Sequence, residues 1–275
     1  MKIGLIGAEN SHTIGFCEAI NNKKKYPGFE ITHVFGDDST ILGSDACAKL
    51  VEKYGLTEVK TLDEIIALTD ALVITYRKGS LHYEPSMKVL KAGKPLYNDK
   101  PFTTCPDQAL EIVEYAKNNN LLLCGGSTVK SLSGLSVLDG KIGAGSTVVV
   151  GYRADPDSEY DGFWFYGIHA VETFVRLMGQ GYKSVSACKS GKDVVASVNY
   201  GDRRGVIINS PDATEVYVSV MNGDKSETFV IANDYVDIAP EQFITMLKTG
   251  KPPFDYSFYA DSIKLMADII DSAKL

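Results

Sequence analysis

The 275-residue chain is poor in the groups that build several common kinds of site. Its five cysteines (Cys17, Cys47, Cys105, Cys124 and Cys188) are odd in number and scattered, with no Cys-x-x-Cys pair. That argues against a disulfide framework and suits thiols kept reduced in a cytoplasm. Histidine occurs only four times, and none stands at metal-ligand spacing with a cysteine or another histidine, so no metal is expected. No basic stripe exists: the longest run is Lys23-Lys24-Lys25, within a formal net charge of −7, which argues against nucleic acid as a partner. No apolar run approaches the ~18–20 residues that cross a bilayer. Met1-Lys2 leads straight into Ile3-Gly4-Leu5-Ile6-Gly7, without the charged, apolar and cleavage regions of a signal peptide. A cytoplasmic protein with no membrane partner is the expectation. There is no internal repeat and no low-complexity segment.

What is present is an ordinary globular balance, 44% hydrophobic and 23% charged, long enough for two domains. The first half alternates strands and helices. Ile3–Ile6, Glu30–Phe35, Ala71–Thr75, Pro95–Tyr97 and Leu121–Cys124 read as apolar strands. Between them, Thr13–Asn21, Asp45–Tyr54, Leu62–Leu68, Pro85–Ala92 and Pro106–Asn118 have helical spacing. Such alternation predicts an α/β domain with a doubly wound parallel sheet over residues 1–124.

The character changes at Gly125-Gly126-Ser127. Strand patterns then dominate, at 147–152, 184–188, 193–199, 204–209, 214–221 and 226–231. Turn clusters separate them, Asn222-Gly223 being a strong hairpin signal. One helix interrupts at about 166–178, and two close the chain, Pro240–Lys248 and Tyr256–Ala273. Residues 125–275 therefore read as an α+β domain with a mostly antiparallel open sheet. Val216, Val218 and Val220 face one side of it and Tyr217, Ser219 and Met221 the other. Few helices are available to cover both, so a homo-oligomer built through this sheet is expected.

Two places suggest chemistry. Lys100 in Tyr97-Asn98-Asp99-Lys100-Pro101 stands just past the C-terminal end of a parallel strand, where open α/β sheets bind ligands. The other reading is a solvated turn lysine. The first strand ends in Gly7-Ala8-Glu9-Asn10-Ser11-His12. A dinucleotide fingerprint wants glycine at 7, 9 and 12, and only Gly7 fits. Asn10 and Ser11 are N-capping types, so a helix start can still present N–H groups to an anion. Asp37 and Asp38 follow the second strand, as ribose acceptors or as a turn and helix cap. They would repel a 2′-phosphate, and no arginine lies in their loop, so NAD is expected over NADP.

The run Ala71–Thr75 through His82 to Leu90-Lys91-Ala92-Gly93-Lys94-Pro95 and Asp99-Lys100-Pro101 resembles the Gfo/Idh/MocA oxidoreductase family. That family has a strand ending in a small residue, a histidine about seven on, a helix ending A-L-x-A-G-K, and an E-K-P motif. Gly167-Ile168-His169-Ala170-Val171-Glu172 resembles its D-x-G-x-H-x-x-D. Phe243–Lys248 and Gly250-Lys251-Pro252-Pro253 resemble its closing segment.

The resemblance implies a Rossmann domain, a C-terminal α/β domain with a large open sheet, NAD(P) binding, and hydride transfer at a carbinol carbon, often of a sugar or cyclitol. Carried over, Gly7, Glu9, Asn10, Ser11, His12, Asp37, Thr75, Tyr76, His82, Asp99 and Lys100 would bind cofactor. Lys100, His169 and Glu172 would be catalytic, in a cleft between the domains. Trp164 and Tyr166 would join Lys100 and His169 at a small-molecule substrate, although the aromatic cluster Tyr160–Tyr166 reads equally as core or interface. His169 would open its helix, where the dipole keeps it neutral and able to accept a proton, with Glu172 one turn on to hold the other ring nitrogen. Glu9, His12 and Phe165 depart from the pattern, Phe165 standing where the family has aspartate. They leave room for a relative that binds a small ligand as sensor or scaffold without turnover.

Overall fold

The computed structural model describes residues 1–8, 10–36, 45–231 and 237–275. Glu9, Asp37 and Asp38 lie outside these. The chain forms two compact units. The first gathers Met1–Thr103, Asp107–Gly126 and Val236–Tyr256; the second gathers Thr104–Pro106, Ser127–Tyr235 and Ser257–Leu275.

The elements of the first unit are β1 (Lys2–Ile6), α1 (Ser11–Cys17), β2 (Glu30–Phe35), α2 (Ala46–Tyr54), β3 (Thr57–Glu58), α3 (Leu62–Leu68), β4 (Ala71–Ile74), α4 (Tyr83–Lys91), β5 (Leu96–Asn98), α5 (Pro106–Asn118) and β6 (Leu123–Gly125). Six strands order as β3-β2-β1-β4-β5-β6, every pair parallel. Ile3, Leu5, Leu72 and Val73 are fully buried, as strands covered on both faces must be. The strand order reverses between β1 and β4, so their carboxyl ends, Gly7 and Thr75, flank the crevice where such sheets take ligands. The first helix starts earlier than its spacing predicts. Asn10 caps it by accepting from His12 N–H at 3.1 Å, and beyond Cys17 the ladder widens into a π turn, Glu18–Asn22.

In the second unit, β7 (Thr147–Tyr152), α6 (Trp164–Met178), β8 (Ser184–Ser190), β9 (Asp193–Asn199), β10 (Arg204–Asn209), β11 (Val216–Asn222) and β12 (Lys225–Ile231) precede the closing helix. The sheet orders as β12-β11-β7-β10-β9-β8. Only β7 and β10 run parallel, so it is mixed and mostly antiparallel. Two helices close the chain, α7 (Ile238–Thr249) and α8 (Ser257–Ala273). α6 and α8 pack on one sheet face. Gly205 permits this closeness, since a Cβ there would sit 2.1 Å from the Phe174 ring. Val216, Val218 and Val220 are buried while Tyr217, Ser219 and Met221 are not, as the alternation predicts.

α7 follows the second sheet in sequence yet packs in the first unit. Phe243 meets Phe16 and Tyr97 edge-on, with ring centroids 6.3 and 6.0 Å away, and Ile244 and Met246 complete that core.

Candidate functional site

At the end of β1 the backbone turns at Gly7 with φ +94°, and a Cβ there would lie 2.9 Å from Tyr76 N. Only glycine fits both constraints. Thr75, fully buried, fixes the turn: its hydroxyl donates to Gly7 O at 3.0 Å and lies 2.7 Å from Thr13 Oγ1. His82 is buried, with Nε2 2.9 Å from the Tyr76 carbonyl.

His12 fails as a fingerprint glycine but has a partner. Its Nδ1 sits 2.8 and 2.9 Å from the two carboxylate oxygens of Asp99, and Asn10 Nδ2 donates to Asp99 at 3.3 Å. Burial pushes the Asp99 carboxyl up, but the charge and hydrogen bond of His12, with Lys100 and His82 nearby, outweigh it and hold the group below the usual carboxylate range. Asn10, His12 and Asp99 thus tie the β1–α1 turn to the end of β5.

Lys100 is 4% exposed, which excludes the solvated-turn reading. Its segment is pinned by Asn98 Nδ2 donating to Phe102 O at 2.8 Å and by Asp99 N–H donating to Ile74 O at 3.0 Å. Gly125 backs it so closely that a Cβ would overlap Asn98 O at 1.8 Å. The Lys100–Pro101 peptide is cis.

A cavity of about 570 Å³ opens beside this turn, lined among others by Ala8, Asn10, Ser11, Ile14, Leu50 and Arg77. It lies within the ~300–1,000 Å³ typical of ligand sites. A turn cradle that only glycine allows, a capped helix start and this cavity suit the adenosine end of a dinucleotide. Arg77, two residues past Thr75, went unnoticed in the sequence. Its one signal is that offset from a strand end.

In the second unit, α6 begins at Trp164, so His169 stands in its second turn and not at its start. The chain enters through Asp161 and Gly162, both left-handed at φ +64° and +60°, which starts the helix two residues before the predicted 166. The dipole fades within the first turn, so the argument that it keeps His169 neutral falls. The partner expected of Glu172 is also different. Glu172 Oε2 accepts from Lys130 Nζ at 2.8 Å and from Ser127 N–H at 3.0 Å, while His169 Nδ1 meets Ser127 Oγ at 2.6 Å. A buried ammonium is the stronger claim on a carboxylate. Lys130 and Glu172 are 0% and 1% exposed, and Lys130 also donates to Ser127 O at 2.9 Å. Sequence reasoning missed Ser127 and Lys130. Ser127 carries only the local mark of a cap, accepting from Val129 N–H.

Aromatic rings surround His169. Tyr166 and Tyr152 lie 5.3 and 5.5 Å from it, centroid to centroid. Phe165, where a carboxylate was expected, is buried between Tyr160 at 4.7 Å and Tyr166 at 4.6 Å. Trp164 and Tyr166 are half-buried. The Arg153 guanidinium stacks 4.7 Å over Tyr166, at a cavity of about 440 Å³ that Tyr160, Phe165 and Tyr166 also line. Among the described residues no group of three or more His, Cys, Asp or Glu could hold a metal ion, and no helix is long and apolar enough to cross a membrane.

Comparison with known proteins agrees with this fold. An uncharacterized oxidoreductase of Streptococcus pneumoniae serotype 4 is 26% identical over 138 residues, spanning 49% of this chain and about a third (34%) of that protein. Among solved structures, UDP-N-acetylglucosamine 3-dehydrogenase GnnA from Acidithiobacillus ferrooxidans superposes with a TM-score of 0.80 at 16% identity, covering 100% of this chain and 98% of that one. The WlbA dehydrogenase from Chromobacterium violaceum, in complex with NADH and UDP-GlcNAcA, gives 0.80 at 17% identity, covering 100% and 94%. These likenesses extend the two-part fold through the whole chain. Residues 1–126 match the model of the Gfo/Idh/MocA oxidoreductase family, NAD-binding Rossmann fold.

Proposed function

We propose that the protein is an NAD-dependent oxidoreductase acting at a carbinol carbon of a sugar or related polyol. The observation that carries this is Lys100: a buried lysine at the C-terminal end of a parallel strand, in a sheet of the NAD-binding family. When bound, the nicotinamide accepts or returns the hydride. Lys100 supplies the cation that stabilises a developing alkoxide. His169 hydrogen-bonds the substrate oxygen, and Glu172 helps hold the segment that orients it. Tyr166 and Trp164 offer aromatic faces to the apolar face of a sugar ring. The UDP-sugar names of GnnA and WlbA support that substrate class.

The test is a screen of sugars, cyclitols and UDP-sugars with NAD and with NADP, read at the nicotinamide absorbance. Turnover that Lys100→Ala abolishes, in a variant with unchanged circular dichroism, supports the reading. NADH binding without turnover of any of these substrates favours the sensor alternative. Calorimetry decides cofactor preference: NAD should bind tighter, and tighter NADP binding that Arg77→Ala reverses would refute this. The uncovered face of the second sheet carries exposed Val230, Val195 and Met221 beside Tyr217, and we assign it to a two-fold dimer. A monomer by light scattering at micromolar concentration refutes the assignment.

A further inference from the structure

We infer that Ser127 fixes the tautomer of His169, so that the neutral imidazole carries its proton on Nε2 and meets the substrate as a hydrogen-bond donor. Ser127 is fully buried, so bulk water offers its hydroxyl nothing. Among the described residues its Oγ has two partners. Val129 N–H donates to it at 3.1 Å, which uses a lone pair. His169 Nδ1 lies at 2.6 Å. A hydroxyl has one proton to give and, once buried, must give it. Nδ1 is the one acceptor in reach, so Ser127 O–H donates to Nδ1 and the ring proton stays on Nε2. The opposite tautomer would leave the hydroxyl proton facing another N–H in a dry site. The Nε2–H form should therefore dominate by about tenfold or more.

The rest of the cluster holds this geometry. Ser127 N–H donates to Glu172, Lys130 donates both to Glu172 and to the Ser127 carbonyl, and Glu172 sits one helical turn beyond His169. Ser127 is thereby clamped to the helix that carries the imidazole, and the Tyr152 and Tyr166 rings fix the plane of the imidazole. Ser127 is a positioning residue. Its chemical consequence rests on the proposed role of His169: a neutral ring with Nε2–H has no lone pair there to take the substrate's hydroxyl proton. It meets the substrate oxygen as a hydrogen-bond donor.

The experiment is long-range 1H–15N correlation on the full chain labelled with 15N-histidine, at about pH 9, where histidines of ordinary pKa are neutral. His169→Gln assigns the ring. The expected pattern for His169 is an unprotonated Nδ1 and a protonated Nε2. Ser127→Ala should let the Nδ1–H form appear. A wild-type ring protonated on Nδ1 overturns the proposal, as does a Ser127→Ala variant with an unchanged pattern. If Ser127→Ala fails to fold, the wild-type spectrum alone decides. Absence of NAD-linked turnover would sink the proposed function and leave this result intact.

Discussion

Replacing Lys130 by methionine removes one ammonium and keeps most of the apolar stem. The Lys130 side chain is fully buried, with Nζ 5.4 and 5.5 Å from the Phe258 and Tyr259 ring centroids and its charge opposite Glu172. In the variant the Glu172 carboxylate stays in the same dry place without its counterion. Breaking a buried pair in this way costs about 3–5 kcal/mol. The solvent-exposed pair Lys192–Asp155, 2.9 Å apart, is the control: water screens it, so Lys192→Met should cost little. Urea unfolding can be followed through Trp164, the only tryptophan, which lies in the second unit. With a slope of about 1–3 kcal/mol/M, Lys130→Met should lower the midpoint by roughly 1–5 M and Lys192→Met should barely move it. Lys130→Met with Glu172→Leu should recover much of the loss, because no charge is left buried. Equal midpoints for the two single variants would refute this, and so would a double variant no better than Lys130→Met.

Three further outcomes follow from single positions. Gly125→Ala should abolish soluble expression or unfold the first unit, since its Cβ would overlap Asn98 O; Gly93→Ala, at φ +72° with nothing within 4 Å, should cost only about 1–2 kcal/mol by the same urea titration. Asp99 is held below the ordinary carboxylate value, so its contribution to stability is complete above the unfolded value of about 3.9 and is lost as pH falls through the folded one. Asp99→Asn should flatten the fall of the far-ultraviolet urea midpoint below about pH 4, and a variant as acid-sensitive as wild type would contradict the pairing. Asn10→Ala should cost about 1 kcal/mol through loss of the cap that His12 N–H uses, and a cost near zero by urea denaturation would show the cap idle.

Local pattern carried most of the fold. Leu62–Leu68, Pro106–Asn118, Glu30–Phe35, Thr147–Tyr152, Asp193–Asn199 and Arg204–Asn209 stand in the structure with the bounds their spacing suggests. Their apolar periods are long and their turn residues unambiguous. β3 is two residues long, too short to carry a period. The candidate site was legible where its residues stand at strand ends, as Gly7, Thr75 and Lys100 do. It was illegible where it rests on pairing between distant positions. Ser127 and His169 are 42 apart in sequence, and His12 and Asp99 are 87 apart. Nothing local in Ser127-Thr128-Val129-Lys130 marks a lysine that will lose all its solvent. Likewise His12, measured against a glycine motif, read as a defect until its carboxylate partner came into view.

The placement of Phe243 sets a timetable for synthesis. Its ring closes the apolar group around Phe16 and Tyr97, yet residues 127–237 must be translated before α7 emerges. At about 5–20 residues per second the wait is on the order of ten seconds. Through that interval the nascent first unit holds its parallel sheet with the edges of Phe16 and Tyr97 uncovered on the side α7 will occupy. The half of the chain made first is therefore finished late, and a chaperone that shields aromatic surface would find its work there.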